Sequence, residues 1–362
     1  MPDKKNILIC PLDWGLGHAT RCVPVIQEFL NSGVNVIIAA DKRPLAFLKK
    51  EFPSLTFITF QGYEITYPEK GIMAVKMLFS LPRIFRGIRR ERKFLQKIIT
   101  EYNIDVVISD NRYGLWNKSV KCVFITHQLT VRISGWLKFL EYLTTILNKH
   151  FIKKYDECWV PDLQGRNNLS GELSAKHKEF HNVHFVGLLS RFRNYQEINS
   201  DHNIKYDIIF ILSGPEPQRT VFENIIFEQL KKNNHFKAII VRGITESTEE
   251  RQLSENIRII NHLETDKLAQ AISESALVIC RPGYSSIMDL VTLGKNAVFV
   301  PTPGQTEQEY LSKYFRSKII FYSIRQKSFS LQKVIKKAAF YNGLKIDNDN
   351  NCLRERIQEI IK

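Results

Sequence analysis

At 362 residues the chain can hold two domains of common size, each with its own core, and its 44% hydrophobic and 25% charged content is that of a soluble globular protein. Six scattered cysteines (Cys10, Cys22, Cys122, Cys158, Cys280, Cys352) with no CxxC pair exclude a disulfide framework or zinc site and read as small buried hydrophobes in a reducing compartment. The net charge of +15 sits mainly in the first half, where residues 1–187 carry 27 Lys and Arg against 17 Asp and Glu. No zinc-finger spacing, RNP-like aromatic signature or helix-turn-helix accompanies it, so nucleic acid is not the expected partner.

The start, MPDKKNILICPL, passes from basic residues straight into a strand, too short an apolar run for a signal peptide. No stretch nears the roughly 18 apolar residues of a membrane span, and a cytoplasmic protein is expected. Strand Asn6 to Cys10 leads through Pro11-Leu12-Asp13-Trp14-Gly15-Leu16-Gly17-His18 into a helix, Ala19 to Leu30, stopped by Ser32-Gly33. Gly15 and Gly17 let the backbone turn tightly, so that the helix start and His18 face a ligand cleft with Asp13 close by. Thr20 replaces the third glycine of a dinucleotide GxGxxG, and a helix-start histidine satisfied by local backbone is the plain alternative. Strand Val34 to Ala40, helix Pro44 to Glu51 and strand Thr56 to Phe60 continue the alternation, which implies a parallel sheet covered by helices on both faces.

Residues 76–97, KMLFSLPRIFRGIRRERKFLQK, hold eight basic residues and one acid among apolar ones. A helix interrupted near Pro82 would expose a basic, partly apolar face suited to an anionic membrane; a core-packed helix with a solvated cationic side is the alternative. Further strands are expected at Val106 to Ser109, Cys122 to Thr126, Cys158 to Val160 and His184 to Val186. The first of these ends in Asp110-Asn111-Arg112-Tyr113-Gly114 and the second in His127-Gln128. Asp110 could equally cap its turn, and His127 could be a buried hydrogen-bonding histidine.

Ser190 to Lys205 reads as a linker, and Asp207 to Leu212 starts a second series. Its first turn, Ser213-Gly214-Pro215-Glu216-Pro217-Gln218-Arg219-Thr220, presents Ser213, Gly214 and Thr220 as donors to a pyrophosphate, with Arg219 supplying charge. Helix Thr220 to Lys232, strands Ala238 to Arg242 and Ile257 to Ile260, and helix Asp266 to Ser275 follow. Strand Leu277 to Cys280 is stopped by Arg281-Pro282-Gly283, and a helix from Ser285 offers its N-terminal N–H groups to an anion. Asp289 lies one turn on, able to reach a ribose if Gly283 sits under a phosphate. Strand Ala297 to Val300 ends at Pro301, and Gln305, Glu307, Gln308 and Glu309 suit sugar hydroxyls. Asp347-Asn348-Asp349 mimics a metal-binding DxD, but in the polar run KIDNDNN it reads as a solvated linker.

The pattern Arg281, Gly283, Asp289, Pro301, Pro303, Glu307 and Gln308 resembles the donor half of GT-B glycosyltransferases, most closely family 28, with Asp289 standing where the family has Glu. Gly-x-Gly-His at the first βα loop resembles the acceptor loop of the same fold, and Tyr113-Gly114 with His127-Gln128 keeps part of that family's acceptor segments. Asp110-Asn111-Arg112 replaces most of their glycines. The resemblance implies an α/β chain of two doubly wound Rossmann-like domains across a cleft, with an acceptor domain 1–189, linker 190–205, donor domain 206–345 and a C-terminal helix 346–362 that can pack back on the first. It implies donor contacts from Ser213, Gly214, Arg219, Thr220, His262, Leu263, Arg281, Gly283, Ser285, Asp289, Gln305, Glu307 and Gln308. Acceptor contacts would come from Gly15, Gly17, Asp110, Tyr113, His127 and Gln128.

The implied chemistry is inverting transfer from a nucleoside-diphosphate sugar, UDP-linked, to a lipid-linked or surface-glycan acceptor at the inner face of the plasma membrane. His18, or else Asp13, is the base, Arg219 or Arg281 offsets leaving-group charge, and no metal or other cofactor is expected. A UDP-sugar 2-epimerase of the same fold and a non-catalytic nucleotide-sugar or glycan-binding protein are the alternatives.

Overall fold

A computed structural model describes residues 4–62, 73–130, 140–165, 167–195, 204–247, 249–346 and 351–362, with side chains from residue 82 onward in the second segment. The Asp347-Asn348-Asp349 run and residues 76–81 of the basic segment's side chains lie outside the described part. Two compact units make up the chain, Met1–Leu189 with Asn348–Lys362, and Ser190–Asp347.

In the first unit, β1 (Asn6–Pro11), β2 (Asn35–Ala40), β3 (Thr56–Thr59), β4 (Val106–Asp110), β5 (Lys121–Ile125), β6 (Glu157–Val160) and β7 (Val183–Phe185) form one sheet in the order β3-β2-β1-β4-β5-β6-β7. All its pairings are parallel. Strands buried on both faces read as unbroken apolar runs, as in Ile7-Leu8-Ile9-Cys10 and Val106-Val107-Ile108. The connections are helical: α1 (Leu16–Asn31), α2 (Lys42–Glu51), α3 (Met73–Glu101) and α4 (Leu140–Ile152). One core packs Leu8, Val107 and Phe124 of the sheet against Leu95 and Ile98 of α3 and Ile152 of α4.

Two expectations about helices need correction here. Helix α1 begins at Leu16, three residues before Ala19, so His18 lies inside its first turn. Helix α3 runs unbroken through Pro82. Proline removes a single backbone hydrogen bond, and a 29-residue helix packed along one face outlasts that loss. Helix α4 lacks a clear signal in the sequence because much of its apolar surface is exposed, as at Tyr142, Leu143 and Ile146.

In the second unit, β8 (Tyr206–Ile211), β9 (Ala238–Val241), β10 (Glu250–Ser254), β11 (Ile257–Ile260), β12 (Ser275–Cys280), β13 (Ala297–Phe299) and β14 (Tyr322–Ser323) take the order β10-β11-β9-β8-β12-β13-β14. Only the edge pair β10 and β11 is antiparallel. The unit's helices are α5 (Gln218–Lys232), α6 (Thr265–Ser273), α7 (Tyr284–Thr292), α8 (Thr306–Ser317) and α9 (Leu331–Ala338). Ser190 and Phe192, assigned above to a linker, are buried in this unit; the apolar ring and the hydroxyl both find partners there. The last helix, α10 (Asn351–Ile361), packs on the first unit through Leu353, Ile357 and Ile360, with Arg354 donating to Glu28 at 3.0 Å and Arg356 bridging Glu157 at 2.9 Å.

Candidate active site

Parallel pairing decides which residues meet at the C-terminal edge of the first sheet. Pro11 at the end of β1 lies beside Asp110 at the end of β4, and Asp110 beside Ile125 at the end of β5. His127 is two residues further along. Above this edge, Gly15 at φ 137° makes the turn into α1, a conformation that favours glycine. The first two turns then set His18 and Arg21, three residues apart on one helix face, directly over Asp110.

Arg21 joins the cluster together. Its Nε donates to Asp110 Oδ2 at 2.7 Å, a second nitrogen binds Asp110 Oδ1, and further contacts reach His127 Nδ1 at 3.0 Å and His18 Nδ1 at 2.9 Å. His18 Nδ1 is also 3.3 Å from Asp110 Oδ1. Arg21 and Asp110 are buried, whereas the His18 side chain retains 19% of its exposure. Of the four, the imidazole of His18 is the member best open to a ligand. Burial and the Arg21 charge hold its pKa below the ordinary value of 6.5, overcoming Asp110, so it is neutral at neutral pH. Burial alone would raise the Asp110 carboxyl, but Arg21 and His18 overcome that and hold it at about 2.

Arg21 was not singled out from the sequence. The available signal was its i, i+3 spacing from His18 on a helix otherwise apolar on that face. Asp13 is half-buried on the preceding loop, its Oδ1 without a hydrogen-bond partner among the described residues. Gly17 is exposed, and its carbonyl accepts from Thr20 Oγ1 at 3.1 Å. Gln128 places its side-chain amide 3.5 Å from His127 Nε2.

Tyr113 and Gly114 have partners inside the first unit. The Tyr113 ring packs on Phe124 and Phe151, and its hydroxyl binds Asn148. A Cβ at Gly114 would meet Ile88 O at 2.6 Å, so glycine is needed for helix α3 to approach. Arg112 is likewise structural, donating to Glu91 at 2.9 Å and stacking over Phe60.

In the second unit, β8, β12 and β13 are neighbours, and α5, α7 and α8 start at their C-terminal ends. Gly214 takes φ +102°, and a Cβ there would stand 3.8 Å from Thr302 Oγ1, so the turns after β8 and β13 approach each other. That hydroxyl is buried without a hydrogen-bond partner among the described residues. Gly283 caps α7 at φ −69°, and an added Cβ would find only Ser286 Oγ, at 3.7 Å. Neither backbone strain nor internal packing calls for glycine there, and what it leaves open is the approach to the N-terminus of α7, where Tyr284 and Ser285 lie.

The two arginines expected to supply charge are otherwise engaged. Arg219 pairs with Glu216 at 2.5 Å and Glu223 at 3.2 Å, and the Thr220 hydroxyl donates to Glu216 at 2.8 Å. Arg281 is buried, donating to the carbonyls of Val300 at 2.8 Å and Gln218 at 3.0 Å and to Gln326 Oε1 at 2.6 Å. Burial lowers its pKa to about 10, and its function in the fold is to tie the ends of β12 and β13 to the start of α5. Asp289 is also buried, accepting from Ser190 Oγ at 2.7 Å and Arg191 Nε at 3.2 Å. Burial raises its pKa against those partners. Ser213 is half-buried beside Gly214, and His262 and Leu263 lie between β11 and α6. Gln305 caps α8, Glu307 stands in its first turn, and Gln308 Oε1 accepts from the Thr302 N–H at 2.8 Å.

Comparison with known proteins agrees with this geometry. Residues 208–361 match the glycosyltransferase family 28 C-terminal domain, and residues 6–125 match glycosyl transferase family 1. An uncharacterized glycosyltransferase of Methanosarcina acetivorans is 23% identical over 84% of this chain and 81% of its own length. The UDP-N-acetylglucosamine--N-acetylmuramyl-(pentapeptide) pyrophosphoryl-undecaprenol N-acetylglucosamine transferase of Haemophilus influenzae is 22% identical over 99% of this chain and 92% of its own. Among solved structures, the glycotransferase of kitacinnamycin superposes with a TM-score of 0.63 at 11% identity, covering 100% of this chain and 95% of that one. MurG of Acinetobacter baumannii gives 0.53 at 14% identity, covering 98% and 99%. The fold is GT-B, the chain carries a family 28 C-terminal domain, and it is a glycosyltransferase.

Proposed function

We propose that this glycosyltransferase moves a sugar, with inversion, from a UDP-sugar to a hydroxyl of a lipid-linked or surface-glycan precursor. The observation that carries the reading is the buried Arg21–Asp110 pair beneath a partly exposed, neutral His18. In this reading His18 takes the tautomer in which its Nδ1–H donates to Asp110, 3.3 Å away, in place of accepting from Arg21 at 2.9 Å, which leaves Nε2 with a lone pair for the proton of the acceptor hydroxyl. The oxygen then attacks the anomeric carbon, the bond from that carbon to the diphosphate breaks with inversion, and UDP leaves. Asp110 stabilises the imidazolium formed.

With Arg219 and Arg281 committed to internal partners, the N-terminus of α7 beneath Gly283 is the group that offsets charge on the leaving diphosphate, without a metal ion. A UDP donor is supported by the names of two similar proteins, the Haemophilus transferase and a solved plant enzyme complexed with UDP-L-rhamnose. In this reading Asp289 holds the ribose and Gln308 the sugar.

A lipid-linked acceptor is supported by the first unit's surface. Exposed Phe85 of α3 stacks toward Phe151 of α4 at 6.2 Å, α4 adds exposed Tyr142, Leu143 and Ile146, and α3 adds exposed Arg89 and Lys93. Apolar and basic groups on neighbouring helices suit the inner face of an anionic membrane. Among the described residues no helix is long and apolar enough to cross one.

The test is mass spectrometry of purified protein with a panel of nucleotide sugars and a cell lipid extract. A lipid product heavier by one sugar, formed from a UDP-sugar alone, is expected. An epimerised nucleotide sugar, free sugar plus UDP, or binding without product overturns the reading.

A further inference from the structure

Residues 310–346 hold nine Lys and Arg and no Asp or Glu. Like charges crowded together work against a compact fold, so a run this one-sided raises the question of what it meets. The structure gathers four of the nine around a cavity of about 710 Å³ on the second unit: Arg316 from the last turn of α8, Arg325 two residues after β14, and Lys333 and Lys337, one turn apart on α9. We infer that this cavity binds a nucleoside triphosphate, at a site separate from the donor half.

The way the sheet ends creates the cavity. Strand β14 is an edge strand, and Tyr322 and Ile324 turn toward α9, packing in one core with its Leu331 and Val334. Helix α8 lies on the other face, with Phe315 against Phe299 and Phe321. From there Arg316 reaches round the strand edge, stands 5.3 Å over the Tyr322 ring and donates to the Ser323 carbonyl at 3.2 Å. Tyr322 and Ile324 thus form an apolar floor, and cations from α8, α9 and the end of β14 form the rim.

No carboxylate lines this space, and the exposed Arg325, Lys333 and Lys337 have no carboxylate partner among the described residues. Cations converging from three elements suit a chain of phosphates better than a single one. On the same wall Phe340 is 71% exposed, and Tyr341 beside it packs on Tyr322 at 5.4 Å. An exposed ring next to cations offers a planar base a stacking surface. The volume falls within the roughly 300–1,000 Å³ of small-molecule sites, and the concavity favours a compact ligand over a flat bilayer. Gln326, next to Arg325, is buried and turns inward, its Oε1 accepting from Arg281 at 2.6 Å. None of the lining residues is among those proposed for the donor.

The test is calorimetric titration of the full chain with ATP, in EDTA and in saturating UDP to occupy the donor half. Wild type is expected to bind, and Arg325→Gln/Lys333→Gln/Lys337→Gln to lose at least about tenfold in affinity. Phe340→Ala should weaken ATP by about fivefold or more while leaving the affinity for inorganic tripolyphosphate, which has no base to stack, unchanged. A charge-matched control elsewhere on the unit, Lys231→Gln/Lys232→Gln/Lys267→Gln, should bind as wild type does. Every substituted side chain is exposed, so these variants keep the core intact. No ATP binding by wild type, binding seen only when UDP is left out, or an equal loss in the control variant overturns the inference. Tripolyphosphate bound as tightly as ATP, with Phe340→Ala without effect on either, overturns the nucleotide as the ligand. Sedimentation with phosphatidylglycerol vesicles that depends on Arg325, Lys333 and Lys337, in a protein that binds no ATP, would make the patch a membrane surface and equally overturn it.

Discussion

Arg21 Nε lies 2.7 Å from Asp110 Oδ2, an ion pair between the first helix and the fourth strand, and both partners are buried. Removing one partner strands the other charge away from water. Asp110→Ala is therefore expected to cost about 3 to 5 kcal/mol of stability, read from chemical denaturation. Asp110→Asn keeps the shape, and its turnover should still fall on the order of 100-fold, because an amide neither fixes the His18 tautomer nor stabilises its cation. Wild-type turnover in Asp110→Asn would remove the carboxylate from the mechanism.

His18→Ala should keep UDP binding and lose roughly 100-fold or more in turnover. Because burial and Arg21 lower its pKa, the acidic limb of the kcat/KM profile should fall below pH 6.5. A limb at or above that value, or near-normal turnover in the variant, would transfer the role to Asp13. Added EDTA should leave wild-type rates unchanged, whereas inhibition reversed by metal would contradict the metal-free route.

The same shifts set stability against pH. His18 has a folded pKa below its ordinary 6.5, so its contribution is present above 6.5 and is lost as pH falls through that value. Asp110, ordinarily at 3.8 and held at about 2, contributes above 3.8 and loses that contribution as pH falls toward 2. The second loss is about 2 kcal/mol at most. Thermal melts of wild type and Asp110→Asn should converge across that lower window, and parallel curves would refute the assignment.

Much of this site was legible because parallel strands deliver their C-terminal loops to one edge, so His18, Asp110 and His127 could be grouped from strand ends alone. Arg21 was not, since a cation on an amphipathic helix reads as solvated surface until the sheet beneath it is known. The internal partners of the donor-side arginines were less visible. Beside a glycine turn Arg281 looks available, but its partners Val300 and Gln326 come together only in the fold, whereas Glu223, four residues on along α5, was a partner for Arg219 that helix spacing already offered. The ring partners of Tyr113, Phe124 and Phe151, were likewise not visible in the sequence. Strand β10 carries no apolar alternation and is exposed throughout, so it formed no pattern to read.

Asp289→Ala should weaken UDP binding by on the order of 1 to 3 kcal/mol and also lower Tm, because Ser190 and Arg191 lose their acceptor. Calorimetry and melting on one sample separate the two effects. A lower Tm with unchanged UDP affinity would leave Asp289 as an anchor for the start of the second unit and nothing more. Gln308→Ala should reduce affinity for the intact nucleotide sugar while sparing UDP.

Attachment to an anionic membrane should depend on the exposed apolar side of α4 together with the exposed cations Arg89 and Lys93 of α3. Tyr142, Leu143 and Ile146 are 74%, 44% and 45% exposed, a row of apolar side chains at helical spacing with no described partner element covering it. Arg89 and Lys93 add about 1 kcal/mol each near an anionic leaflet. Replacing Tyr142, Leu143 and Ile146 with Ser should reduce sedimentation with phosphatidylglycerol vesicles at any ionic strength. Arg89→Gln/Lys93→Gln should reduce it mainly at low salt, since raised salt already screens those charges in wild type. UDP affinity should survive in both variants. Wild-type protein that ignores the vesicles at low salt would make the patch an ordinary solvated surface and a soluble acceptor the better reading.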